Sequence, residues 1–163
     1  SQCQASHDYD VAVKVADHLK VNLHSLDFAT EYYQEVFEPF IALLNKNLTP
    51  NPDILCNKNI KFKYLLDYAL LHKFDYIATG HYSKIQQINN KYALLEAKDL
   101  NKDQSYFLHQ LNQYQLSKTL FPLGNLVKQE VRTIAKELLL PNYNKKESMG
   151  ICFIGQKNFQ NFF

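Results

Sequence analysis

Glycine is scarce in this chain, with four in 163 residues: Gly80, Gly124, Gly150 and Gly155. None sits in a glycine-rich loop that opens a helix, so the sequence offers no cradle of backbone N–H groups for a phosphate chain. Cysteine is scarcer still at three. An odd count, an ample apolar content and no signal peptide together exclude a disulfide scaffold of the secreted kind. Neither Cys-x-x-Cys nor His-x-x-x-His occurs, so zinc-ligand spacing is lacking and no metal site is expected. No apolar run approaches the ~18 residues that span a bilayer, which predicts a soluble, cytoplasmic protein without a membrane partner. Strong charge is lacking too: the net charge is +2, and Arg132 is the single arginine among 18 basic residues. Such a balance does not announce a nucleic-acid binder. Lysines do cluster at Lys58, Lys61 and Lys63 and at Lys145 and Lys146. They would touch phosphate as point charges that position a backbone without reading bases, or else form a solvated face. With 46% hydrophobic residues the chain is that of a folded protein, one globular domain or two small ones.

What is present centres on two cysteines in unlike surroundings. Cys56 follows Asn51-Pro52-Asp53-Ile54-Leu55. Asn51 suits a helix N-cap, Pro52 the first helical position, where its missing N–H is not needed, and Asp53 the first turn, where a carboxylate opposes the positive helix end. Asp53 and Cys56, three apart, share one face. A carboxylate and a thiol so placed could serve as proton acceptor and nucleophile. Cys56 lies just beyond the first turn, so further activation must come from Lys58, Lys61 or a bound substrate. Cys152 lies in a short apolar run between Gly150 and Gly155, where glycines permit unusual backbone or close approach of another chain. The plainer alternative for each cysteine is a small buried hydrophobe.

Along the chain, Val11, Val15, Ala16 and Leu19 predict a helix after a polar start at Ser6 or Asp8, and the alternation of Val21 to Phe28 predicts a strand. A helix is predicted from Thr30 to about Leu44, bent or restarted at Pro39, and another from the Cys56 segment to near Lys73. Asp75 to Thr79 is a short strand that feeds Gly80-His81. Strand and helix alternating imply a parallel sheet, with ligands gathering beyond its strand carboxyl ends. That is where Gly80 and His81 stand. Tyr82–Ile88 and Lys91–Ala97 predict a hairpin turning at Asn89-Asn90. Helices are predicted at about Lys102–Gln110, Gln113–Thr119 and Val127–Leu139, the last capped by Asn125.

Four segments in order, Asn51-Pro52-Asp53 through Lys61-Phe62, Ala78-Thr79-Gly80-His81-Tyr82, Asn101 through Phe107, and Gly150 to Gly155, resemble the bacterial tRNA-specific 2-thiouridylases. One motif would be weak; four in one order are specific. The resemblance implies an α/β fold, part of a parallel-sheet, adenine-nucleotide alpha-hydrolase-like (PP-loop ATPase) domain with a small helical insertion. Residues 1–97 and 140–156 would be catalytic, and residues 98–139 and 157–163 a helical tRNA-binding domain. It implies ATP-dependent thiolation of the wobble uridine at C2, with Mg2+ accompanying ATP. The partners implied are tRNAs of the Lys, Glu and Gln type and a persulfide donor from a cysteine desulfurase relay. Cys152 would carry the persulfide sulfur, Cys56 would resolve it into a disulfide, and Asp53 would act as acid or base. Asn51, Pro52 and Asp53 would hold the target base, Gly80 would lie in the ATP site, and His81, Lys102, Asp103 and Gln104 would touch tRNA. Lys102 to Gln104 also read as an ordinary helix start, since Asn101 or Asp103 makes a good cap.

Relatives of this kind begin with a Ser-Gly-Gly-x-Asp-Ser loop and end in a β-barrel, and neither is present. The chain therefore reads as an internal fragment that should not bind ATP properly and should be inactive alone. It also departs from the common Asp-Ser-Thr-Gly before the second cysteine, having Glu147-Ser148-Met149-Gly150, which removes a hydroxyl. Three other readings compete: an iron–sulfur cluster on Asp53, Cys56 and Cys152, a noncatalytic tRNA-binding module with both cysteines in the core, and an ATP-pyrophosphatase relative adenylating a small acid. The paired cysteines and Asn51-Pro52-Asp53 argue against the last.

Overall fold

In the computed structural model, which describes residues 4–145, the chain divides into two compact units. One comprises residues 28–128; the other draws on the segments on either side of it.

The flanking unit holds α1 (Gln4–Leu19) and nearly all of α7 (Lys128–Glu137). His18 Nε2 donates to the Leu138 carbonyl at 2.8 Å, and Arg132 donates to the carbonyls of Tyr143 and Lys145 at 3.0 and 2.8 Å. Helix α1 starts before the polar residues expected to open it. Residues 21–27 do not form the predicted strand, because among the described residues no neighbour supplies a ladder for their backbone groups.

The unit of residues 28–128 starts with α2 (Ala29–Tyr32), a π-helical stretch (Tyr33–Phe37) and α3 (Glu38–Leu44) as one continuous run. Pro39 does not break it. Proline has no N–H and crowds the carbonyl four residues earlier, that of Glu35. Here the turn before it widens, and Asn59 Nδ2 donates to the Glu35 oxygen at 3.2 Å in place of the missing backbone donor. A second run combines α4 (Pro52–Leu55), a ten-residue π-helix (Cys56–Leu65) and α5 (Leu66–Leu71).

Strand β1 (Ile77–Ala78) pairs in parallel with β4 (Thr119–Leu120), and β2 (Lys84–Ile88) pairs antiparallel with β3 (Lys91–Leu95). The hairpin turns as predicted at Asn89 and Asn90, with φ of 47° and 61°, the pair of positive values that a two-residue turn requires. Where a helix is predicted at Lys102–Gln110 only a 3₁₀ turn forms, Ser105–Leu108, because Asp103 and Gln104 are bonded to other parts of the unit. Helix α6 (Gln113–Ser117) is shorter than predicted: Thr119 Oγ1 donates back to the Gln115 carbonyl at 2.8 Å, and Thr119 joins β4. The N–H that starts α7, that of Lys128, is received by Asp99 at 2.9 Å rather than by the expected Asn125.

Two apolar clusters form the core. Phe62, Leu66, Ala69, Ile77 and Leu108 make one, and Tyr32, Val36, Cys56 and Ile60 the other. The π-helix contributes to both.

Candidate functional site at the Cys56 helix

The helix start is built as the sequence dictates. Asn51 has extended backbone (φ −111°, ψ 107°), and its side-chain oxygen accepts the Asp53 N–H at 2.9 Å, while Pro52 occupies the first turn, buried. Asp53 is half-buried beside it. Cys56, where α4 passes into the π-helix, is buried at 6% exposure among Tyr32, Val36 and Ile60. A nucleophile at that depth has to be uncovered to react. The next residue, Asn57, is 2% exposed and donates through Nδ2 to the Phe107 carbonyl at 3.3 Å. Its Oδ1 is buried without a hydrogen-bond partner among the described residues.

At the end of β1, Gly80 is exposed, and a Cβ placed on it would meet only Leu123 Cδ1 at 3.9 Å. The space beside its Cα is open, and neither crowding nor a left-handed backbone requires a glycine there. His81 packs against the rings of Phe62 (5.8 Å between centroids) and Phe121 (5.9 Å, edge-on) and shares a 2.7 Å hydrogen bond between Nδ1 and the Thr79 hydroxyl. Burial, reinforced by the nearby Lys61 charge, pulls its pKa down to about 4, so the ring is neutral near pH 7.

The segment of Lys102, Asp103 and Gln104 is tied down. Asp103 accepts from Ala97 N at 2.7 Å, Ser105 N at 3.2 Å and the Ser105 hydroxyl at 2.6 Å. Gln104 accepts the Tyr82 N–H through Oε1 and donates its own N–H to the Tyr82 carbonyl, at 3.0 and 2.8 Å. Lys102 is half-buried. Gln104, not Asn101 or Asp103, is the residue that flanks the 3₁₀ turn, and it makes no side-chain cap; Asp103 bonds Ser105 from one position further out, and the turn carries Phe107, the partner of Asn57.

A further group lies on the face of the π-helix toward the Tyr33–Phe37 stretch. Glu35 accepts from Lys63 (2.8 and 3.1 Å) and from the Tyr64 hydroxyl (2.5 Å), which holds its carboxyl below the ordinary range, while Glu35 raises both Lys63 and Tyr64. Sequence reasoning missed this group and the buried Gln115. For Gln115 a signal existed: Asn112-Gln113-Tyr114-Gln115 has capping-box spacing, and that box forms.

Thus Asn51, Pro52, Asp53, Cys56, Gly80, His81, Lys102, Asp103 and Gln104 all lie within the unit of residues 28–128. Cys152, with the departure at Met149, lies outside the described residues.

A parallel strand pair that ends on an open glycine, with helices packed beside it, defines an α/β domain of the kind that receives ligands beyond its strand ends. A family profile described as the tRNA methyl transferase HUP domain matches residues 1–156, and the chain belongs to that family. Among curated proteins it is 55% identical over 160 residues to tRNA-specific 2-thiouridylase MnmA 1 of Geobacillus kaustophilus, covering 98% of this chain and 43% of that protein. It is 55% identical over 163 residues to MnmA of Malacoplasma penetrans and 51% over 160 residues to that of Nitrosomonas eutropha, covering 98% of this chain and 44% of each relative. The resemblance drawn from four motifs is thereby borne out. The chain spans less than half the length of these relatives.

Proposed function

We propose that this chain is the part of a tRNA-uridine 2-sulfurtransferase that presents the resolving thiol and the target-base pocket. The observation that carries the reading is the helix opened by Asn51, Pro52 and Asp53 with Cys56 just beyond its first turn, in a chain whose relatives carry the 2-thiouridylase name. In this reading Asn51, Pro52 and Asp53 line the pocket for a wobble uridine flipped out of its stack, and His81, Lys102, Asp103 and Gln104 face the tRNA. The tRNAs are of the Lys, Glu and Gln type, and the setting is the cytoplasm. Gly80 would pack against bound ATP, with Mg2+. When bound, ATP supplies the activation that turns the uridine C2 oxygen into a leaving group. Residues 1–97 and 140–156 would serve catalysis, and 98–139 and 157–163 tRNA binding.

Cys152 accepts a persulfide sulfur from a cysteine desulfurase relay. Its terminal sulfur either attacks C2 directly and displaces the activated oxygen, or leaves as hydrosulfide when the Cys56 thiolate attacks the Cys152 sulfur, the freed hydrosulfide then attacking C2 and displacing that oxygen. In the direct route Cys56 then attacks the same Cys152 sulfur and breaks the S–S bond, leaving the thiocarbonyl on the base. Both routes end in a Cys56–Cys152 disulfide that a reductant must open, while Asp53 exchanges the proton. The chain alone would be inactive. The test restores the remaining length found in the relatives and assays thiolation of an anticodon stem-loop. Cys56→Ser and Cys152→Ser should each abolish it, and full activity in either variant would refute the roles.

A second reading, a tRNA-binding module in which Cys56 is a core residue, is favoured by its 6% exposure. Full protection of Cys56 from alkylation in the tRNA-bound, full-length protein would support that reading.

A further inference from the structure

Ten successive residues in π register are exceptional, because such turns are ordinarily single bulges within an α-helix. This run is fastened by side-chain amides. Gln115, 8% exposed, donates through Nε2 to the carbonyls of Phe62 (2.7 Å) and Lys58 (3.3 Å), two oxygens inside the run. Gln115 is itself fixed, since Asn112 accepts its N–H at 2.9 Å and its Oε1 accepts that of Asn112 at 3.0 Å. Asn57, the second residue of the run, is tied to the Phe107 carbonyl at 3.3 Å.

The register decides where the thiol lies. Leu66, just past the run, is anchored at 1% exposure in the cluster of Ala69, Ile77 and Leu108. An α turn holds about one residue fewer than a π turn, so reverting ten residues to α would rotate Cys56 by roughly half a turn about the axis relative to Leu66. That would carry the thiol away from Tyr32 and Val36.

We propose that Gln115 and Asn57 are positioning residues for Cys56: by holding the Cys56–Leu65 run in π register they set the burial of the thiol. This deepens the reading of Cys56 as the resolving nucleophile and rests on it for its consequence. The test reads the thiol itself.

Native protein is alkylated with iodoacetamide and modification at Cys56 is followed by peptide mass spectrometry. Gln115→Met, which keeps length and loses both donors, and Asn57→Leu should each speed Cys56 alkylation about tenfold, the equivalent of ~1.4 kcal/mol in local opening. Thr119→Val is the control. It removes a hydrogen bond to the Gln115 carbonyl while leaving the Gln115 side-chain amide and its bonds to the π run in place, and should leave the rate within about twofold of the parent at a similar loss of global stability. Should Gln115→Met fail to fold, Asn57→Leu decides alone. The inference is overturned if the positioning variants stay within the control's range, or if Thr119→Val speeds alkylation as much as they do. A full-length enzyme that thiolates normally without Cys56 would refute the nucleophile reading while leaving the alkylation result standing.

Discussion

His81 is a largely but not fully buried histidine whose charge state is decided by its surroundings. Its folded pKa of about 4 lies below the ordinary 6.5, so between these values the unfolded chain takes up a proton that the folded chain refuses. The linked stability is therefore fully present above pH 6.5 and is lost as pH falls toward 4. The unscreened shift corresponds to ~3 kcal/mol, and about 1–2 kcal/mol after discounting for solvent at the part-exposed ring. Urea titrations at pH 7 and pH 4.5 should show His81→Gln losing less stability on acidification than the parent, by about that amount. Equal losses would show that the ring is not desolvated. Gly124 is the other residue dictated by its surroundings. A Cβ there would fall on the Ser83 carbonyl and within 2.7 Å of Lys84 Cγ, and its own carbonyl accepts from Lys98 N at 2.8 Å. Gly124→Ala should cost about 1–3 kcal/mol as backbone is forced apart, measured by the same titration. Neither effect was legible in sequence, where His81 and Gly124 show only their types, not what surrounds them.

At the scale of elements, the scarcity of glycine has a structural counterpart. Four helical runs end in the same left-handed turn, and a residue other than glycine holds it each time: Lys20, Asn47, Lys73 and Leu139, with φ of 56°, 57°, 64° and 52°. In each the following residue donates back five positions, Val21 to Ala16, Leu48 to Leu43, Phe74 to Ala69 and Leu140 to Ala135, the bonding of a Schellman cap. The left-handed turn costs a non-glycine residue about 1–2 kcal/mol, against a smaller entropy loss for glycine. Lys73→Gly should thus stabilise the fold by about 0.5–1 kcal/mol in thermal melts, and a destabilised variant would mean that the lysine side chain matters more than its backbone. The helix start at Asn51 is the opposite case, a purely local code read correctly from Asn-Pro-Asp. Asn51→Ala should cost about 1 kcal/mol, and Asn51→Ser little, since serine caps as well. If Asn51→Ser in the full-length enzyme loses thiolation while keeping stability, the amide touches the base. If activity follows stability in both variants, Asn51 is a cap alone. The π widenings had no such local signal. The first lies at Pro39, where the sequence does mark a bend, but both answer to side chains that reach in from far along the chain, Asn59 to Glu35 and Gln115 to Phe62. The alternation over residues 21–28 reads as a strand, yet among the described residues it has no ladder to join, because a partner strand is not a local property.

For the molecule as a whole, the family was legible because its motifs are short and ordered, and the candidate site was legible by residue type more than by function. Asp103 and Gln104, read as tRNA contacts, spend their carboxylate and amide oxygens on Ala97, Ser105 and Tyr82, so any contact with tRNA has to be shaped around those bonds. Cys56 was read at the mouth of a helix; its depth in an apolar cluster depends on Tyr32 and Val36, twenty or more positions earlier. The proposed function has Cys152 deliver its persulfide sulfur to the uridine and this buried thiol close a disulfide with Cys152, and it is tested most directly by a single turnover of the full-length enzyme, persulfide-loaded and without reductant, followed by non-reducing peptide mass spectrometry. The account predicts one Cys56–Cys152 disulfide for each thiolated uridine; thiolated uridine formed with both cysteines still reduced would contradict it.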